Sequence, residues 1–136
     1  MRRVVLVSCG KRKRLVRSPA GSLYVGSLFT KSLAYARRLA PSAIYILSAK
    51  HGLLRLDEEI EPYEMTLNRM SKAARAEWDT RVLRQLAEVA DLSGDHFIFL
   101  TGERYREGLV PGLVSSEAPL AGLPLGRQLQ FLSRNP

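Results

Sequence analysis

A chain of 136 residues with 46% hydrophobic and 25% charged side chains has the length and composition of one folded domain with a real core, which excludes disorder as its main state. No apolar run approaches the ~20 residues a membrane span needs, so a membrane partner is not expected. A net charge of +8 and an isoelectric point near 10.1 favour polyanionic partners.

The chain begins with Met-Arg-Arg and then Val4-Val5-Leu6-Val7. That apolar stretch is too short for a signal peptide and reads as a first strand, which implies a cytoplasmic protein. Cys9 is the only cysteine, so no intrachain disulfide and no cysteine cluster for zinc can form. Lys and Arg crowd the first 38 positions, where no Asp or Glu occurs; the acids begin at Asp57 and gather through Glu64.

After the first strand, Ser27 to Leu39 carries Leu28, Leu33, Ala36 and Leu39 at helical spacing and closes at Ala40-Pro41. A second strand follows at Ala43 to Leu47. Ser71 to Leu92 reads as the strongest helix, with Ser71 as N-cap and Ala74, Trp78, Val82, Leu86 and Val89 on one stripe. His96 to Leu100 is a third strand, Thr101-Gly102-Glu103 opens a short helix toward Val110, and a weak fourth strand lies near Leu113-Val114-Ser115. Leu123 to Leu132 gives a last helix, with Leu125, Leu129 and Leu132 together. Continuous apolar strands alternating with helices predict a single α/β domain, a three-layer sandwich around a small, mostly parallel four-stranded sheet. Two long stretches, Gly10 to Gly26 and Lys50 to Met70, read as irregular. Both start at carboxyl ends of strands, where open α/β sheets bind their ligands.

The polar chemistry is concentrated in those stretches. Ser8, Cys9, Gly10, Lys11 and Lys13 follow the first strand, where small residues and a glycine can offer backbone N–H groups to a phosphate and the lysines add charge. The spacing of a P-loop is absent. Cys9 is open to a nucleophilic role or to the commoner role of a small packing residue. Ser48, Lys50, His51 and Gly52 follow the second strand and repeat the same chemistry, so adjacent strands would let Lys11 and Lys50 clamp one phosphate. His51 is the acid–base candidate, since an ordinary histidine titrates near neutrality. Glu61 or Asp57 could orient a water or stabilise a cationic sugar, while Tyr24 and Tyr63 offer rings for base stacking; Tyr105 and Gly102 sit after the third strand. The sequence carries no metal cluster and no cofactor motif.

Together, Ser8-Cys9-Gly10-Lys11-x-Lys13, Leu47-Ser48-Ala49-Lys50-His51-Gly52-Leu53-Leu54 and Pro62-Tyr63-x-x-Thr66-Leu67 resemble a small uncharacterised bacterial and phage family. Gly102-x-x-Tyr105 and the Pro119 to Leu129 segment extend the resemblance over most of the chain. Gly52-Leu53-Leu54-Arg55 with Pro62-Tyr63 is also similar to the YaaA-type peroxide-stress proteins, which implies DNA binding and protection from oxidative damage. Glu61-Pro62-Tyr63 resembles the Asp-Pro-Tyr of uracil-DNA glycosylases, with Glu in place of Asp. Residues and resemblances lead to two expectations. One is an enzyme for a nucleotide or nucleic-acid base, acting at an N-glycosidic bond. The other is a non-catalytic DNA- or RNA-binding protein whose cations neutralise backbone phosphates.

Overall fold

Val4 to Val7 form the buried middle of strand β1 (Arg3–Ser8) in the computed structural model, which describes residues 1–134. The other strands are β2 (Ser18–Pro19), β3 (Ala43–Ser48), β4 (Gly52–Arg55), β5 (Glu59–Ile60), β6 (His96–Leu100) and β7 (Ser115–Glu117). The helices are α1 (Ala20–Leu23), α2 (Ser27–Arg38), α3 (Lys72–Val89) and α4 (Leu125–Arg134).

The main sheet has five strands in the order β4-β3-β1-β6-β7. β1 pairs in parallel with β3 and β6, and β6 in parallel with β7. These four strands correspond to the expected set, except that the last begins at Ser115 rather than near Leu113. The fifth strand corrects the count of four. β4 folds back antiparallel on β3, pairing Leu47 with Leu53 and Ser48 with Gly52, inside a stretch that reads as irregular in sequence. Its run Gly-Leu-Leu-Arg is too short to register as a strand alone, and the tight turn before it supplies the partner.

Side chains of β1 alternate between two cores, as the period of a strand requires. Val5 and Val7 join Phe29, Leu33 and Ala36 of α2 and Leu132 of α4, whereas Val4 and Leu6 join Trp78, Val82 and Leu86 of α3. Ser71 caps α3, its hydroxyl accepting from the Ala74 N–H at 3.1 Å. Val89 and Leu125 are exposed rather than part of the stripes that periodicity gives them. The short helix expected from Thr101-Gly102-Glu103 toward Val110 takes the form of two 3-10 turns, Glu103–Tyr105 and Val110–Gly112.

The two stretches that read as irregular are held to each other. β2 pairs antiparallel with β5, Ser18 opposite Ile60 and Pro19 opposite Glu59. The Ala20 N–H donates to the Glu58 carbonyl at 2.8 Å and the Gly21 N–H to that of Leu56 at 2.9 Å. The basic loop is further closed on itself, with the Arg14 N–H on the Leu23 carbonyl at 2.8 Å and the Val25 N–H on that of Arg12 at 3.0 Å. Of the described residues, no helix is long and apolar enough to cross a membrane, and no His/Cys/Asp/Glu group could hold a metal ion.

Candidate functional site

Adjacency of β1, β3 and β6 brings Ser8–Gly10, Ser48–Ala49 and Thr101–Gly102 to the same end of the sheet. The turn after β3 is gripped by one face of α3. Trp78 Nε1 donates to the Ser48 carbonyl at 2.9 Å, Arg81 to that of Lys50 at 3.2 Å, and Gln85 Nε2 to that of His51 at 3.3 Å. Gln85 Oε1 accepts the Leu53 N–H at 2.9 Å. Three side chains at helical spacing therefore fix the turn that sequence reading treats as a free loop.

Beneath the turn lies a chain of buried hydroxyls. The Tyr63 hydroxyl shares a 2.6 Å hydrogen bond with that of Tyr24 and a second, also 2.6 Å, with Ser48 Oγ. Ser48 Oγ also accepts the His51 N–H at 3.1 Å. Burial pushes Tyr24 up to about 12, and burial raises Tyr63 as well, so both remain neutral donors at ordinary pH. On the other side of β1, the Cys9 thiol lies 3.5 Å from the Tyr105 hydroxyl, and burial raises Tyr105 too. Tyr105 meets the Trp78 ring edge-on at 5.8 Å.

Outside this buried layer a cleft of about 240 Å³ is lined by Lys11, Lys13, Arg14, Leu15, Pro62, Tyr63 and Glu64. Lys13 Nζ lies 4.7 Å from the centre of the Tyr63 ring and donates to the Lys11 carbonyl at 3.2 Å. Lys50 Nζ stands 6.0 Å from the same ring. The cleft is thus basic on the loop side and closed by an aromatic floor, with a single carboxylate, Glu64, among its lining residues.

The expected site residues separate into three groups. Lys11, Lys13 and Tyr63 come together at the cleft. Ser8, Cys9 and Gly10 are half-buried beside it, but the Cys9 N–H is taken by the Leu47 carbonyl at 2.9 Å and cannot serve an anion nest. Ser48 and Tyr105 are buried in hydrogen bonds, and Gly102 is exposed at the end of β6. Three expectations are corrected. Tyr24 is 1% exposed, packed 5.0 Å from the Phe29 ring, and presents no surface to a base. Gly52 serves the hairpin, with φ of +73° and the Gln85 side chain where a Cβ would stand. Asp57 and Glu61 are exposed partners of Arg55 at 3.3 Å and Arg17 at 3.6 Å, and neither lines the cleft.

His51 is half-buried, 5.5 Å from the Tyr63 ring, and its Nε2 is buried without a hydrogen-bond partner among the described residues. Burial, followed by the charge of Lys50, lowers its pKa below 6.5, so it is neutral at pH 7. Lys50 is exposed and absent from the cleft lining, so the structure does not bring Lys50 to the cleft with Lys11; Lys11, Lys13 and Arg14 are the cations that line it. Sequence reading missed Arg14, Leu15, Pro62 and Glu64 as lining residues, and Thr101, whose Oγ1 is buried without a partner among the described residues. The Pro-Tyr step was the available signal for Glu64, one residue beyond it.

No curated protein matches the chain. A family model does, over nearly its whole length: residues 4–134 match the family of unknown function DUF6884. The chain belongs to that family, and it folds with mixed α/β structure around a mostly parallel sheet of five strands.

Proposed function

We propose that the cleft between the basic loop and the Pro62–Glu64 corner binds the phosphate of a nucleotide or a nucleic acid. The observation that carries this reading is the convergence of Lys11, Lys13 and Arg14 on one concavity floored by Tyr63. Convergence of like charges on a concave site is unfavourable unless an anion offsets it. The position supports the reading too, because ligands of open α/β sheets lie beyond the carboxyl ends of the strands. A cytoplasmic protein is the setting that goes with such a ligand.

If the ligand is processed at an N-glycosidic bond, the carboxylate suited to stabilise the cationic sugar is Glu64 rather than Glu61 or Asp57. The non-catalytic alternative, DNA or RNA binding of the YaaA-like kind, draws on a different observation: Arg12 and Arg17 are exposed on the same loop but outside the cleft. A thermal-shift screen against mononucleotides, nucleosides, free bases and short oligonucleotides separates the two. A rise in Tm with one mononucleotide, lost in Lys13→Ala, supports the cleft reading. A rise confined to oligonucleotides that fades with salt supports the open-surface alternative. No rise with any of these ligands refutes both.

A further inference from the structure

The basic loop ends in an apolar tip. Leu15 is 94% exposed, the most exposed large hydrophobic side chain among the described residues, and Val16 beside it is 57% exposed. Within seven positions stand Lys11, Arg12, Lys13, Arg14 and Arg17. The tip is held out from the domain by a braced base. Arg12 and Arg14 are tied through their backbones to Val25 and Leu23, Ser18 Oγ donates to the Val16 carbonyl at 2.9 Å, and Ser18 pairs with Ile60. Such bracing keeps the two aliphatic side chains from folding back into the core. Leu15 also lines the cleft, so a ligand whose phosphate sits there comes within its reach.

We propose that Leu15 is an apolar wedge that enters a base step of a nucleic-acid duplex while the surrounding cations hold the flanking phosphates. Aliphatic wedges inserted between base pairs are a general device for kinking duplexes. Binding of a single strand relies instead on exposed aromatic platforms, and here Tyr24 and Tyr105 are buried and Tyr63, the ring at the cleft floor, is only 9% exposed. A flat anionic membrane fits less well. Exposed Asp57, Glu59, Glu61 and Glu64 lie on and around β5, which pairs with β2, and Glu61 stands 3.6 Å from Arg17, so carboxylates would meet the headgroups; a narrow polyanion can follow the basic loop alone.

This inference rests on the phosphate-binding reading of the cleft, and one experiment separates the two. Short duplexes carrying 2-aminopurine at successive positions are titrated with the wild-type protein, Leu15→Ala and Lys13→Ala. In parallel, nucleoside monophosphates are screened by thermal shift. The expected result is a 2-aminopurine fluorescence rise with the wild-type protein that is absent in Leu15→Ala, with duplex affinity about tenfold weaker. Leu15→Ala should keep the wild-type Tm, because its side chain is in solvent, and the monophosphate shift is read on the wild-type protein. Equal fluorescence and affinity in Leu15→Ala overturn the wedge, as does tighter binding to single strands than to duplexes. Binding only to phosphatidylserine vesicles, lost in Leu15→Ala, overturns it in favour of a membrane. Monophosphate binding with no duplex binding removes the wedge and leaves the cleft standing. Absence of both removes both.

Discussion

The hydroxyls of Tyr24 and Tyr63 lie 2.6 Å apart in the buried interior, although 39 positions separate the two residues. Through that contact the basic loop and the Pro-Tyr corner, which together border the cleft, are fastened to one another and, via Ser48, to the end of β3. Tyr63→Phe leaves both Tyr24 and Ser48 short of a partner, while Tyr24→Phe leaves only Tyr63 with one bond fewer. The expected loss on urea unfolding is about 1–3 kcal/mol for Tyr63→Phe and less for Tyr24→Phe. Equal effects would show that Ser48 does not depend on Tyr63.

Alkaline pH probes the same network. Tyr24 is raised from 10.0 to about 12, and Tyr63 and Tyr105 are also raised. A raised phenol is favoured in its neutral form by the fold, so its contribution is complete below pH 10 and declines as the unfolded chain ionises first. Stability should therefore fall between pH 10 and 12, by about 1.4 kcal/mol per unit for each such group. Tyr24→Phe should make the decline shallower in unfolding curves taken across that window.

His51 acts at the other end of the pH scale. Its lowered pKa means that the fold favours the neutral ring, so its contribution is present above pH 6.5 and is lost as acid protonates the unfolded chain preferentially. The ring resonances of His51 should titrate with a midpoint below 6.5 by NMR. His51→Gln should flatten the acid limb of the stability profile; an unchanged limb would place the acid sensitivity elsewhere.

Gly52→Ala is expected to destabilise by about 1–3 kcal/mol, since its φ of +73° disfavours a side chain and the new Cβ would collide with Gln85 Oε1. The loss should appear in Tm. A Gly52→Ala protein of wild-type stability that fails to bind nucleotide would instead make Gly52 a ligand contact.

Carboxylates at the cleft and beside it should respond differently. Glu64→Gln removes a negative charge from the lining of the proposed phosphate site and should tighten phosphate binding severalfold by calorimetry. Asp57→Asn and Glu61→Gln break only exposed pairs and should leave both affinity and Tm near wild type. If the protein cleaves a glycosidic bond, Glu64→Gln binds and does not turn over.

The strands β1, β3 and β6 were readable as runs because burial on both faces of a sheet leaves unbroken apolar stretches, and α2, α3 and α4 as helical periodicities, whereas β7, Ser-Ser-Glu, carries no apolar run of its own. Lys11, Lys13 and Tyr63 were readable as site candidates because strand ends are where such folds expose polar groups. β4, β2 and β5 left no comparable mark: each is only two to four residues long and exists through pairing with a distant partner. The same limit explains the misplaced carboxylates. Asp57, Glu61 and Glu64 look alike in sequence, and only the turn of the chain after β5 puts Glu64 at the cleft.

The sequence by itself determined the class of fold, the parallel core and the concentration of positive charge near the end of β1, all of which follow from local composition and period. Tertiary structure decided which of those charges converge, that Tyr24 supports the site from within instead of facing a base, and that Leu15 stands in solvent. Those outcomes depend on contacts between residues far apart in the chain, such as Tyr24 with Tyr63 and Ser18 with Ile60, and no local pattern encodes a partner's distance.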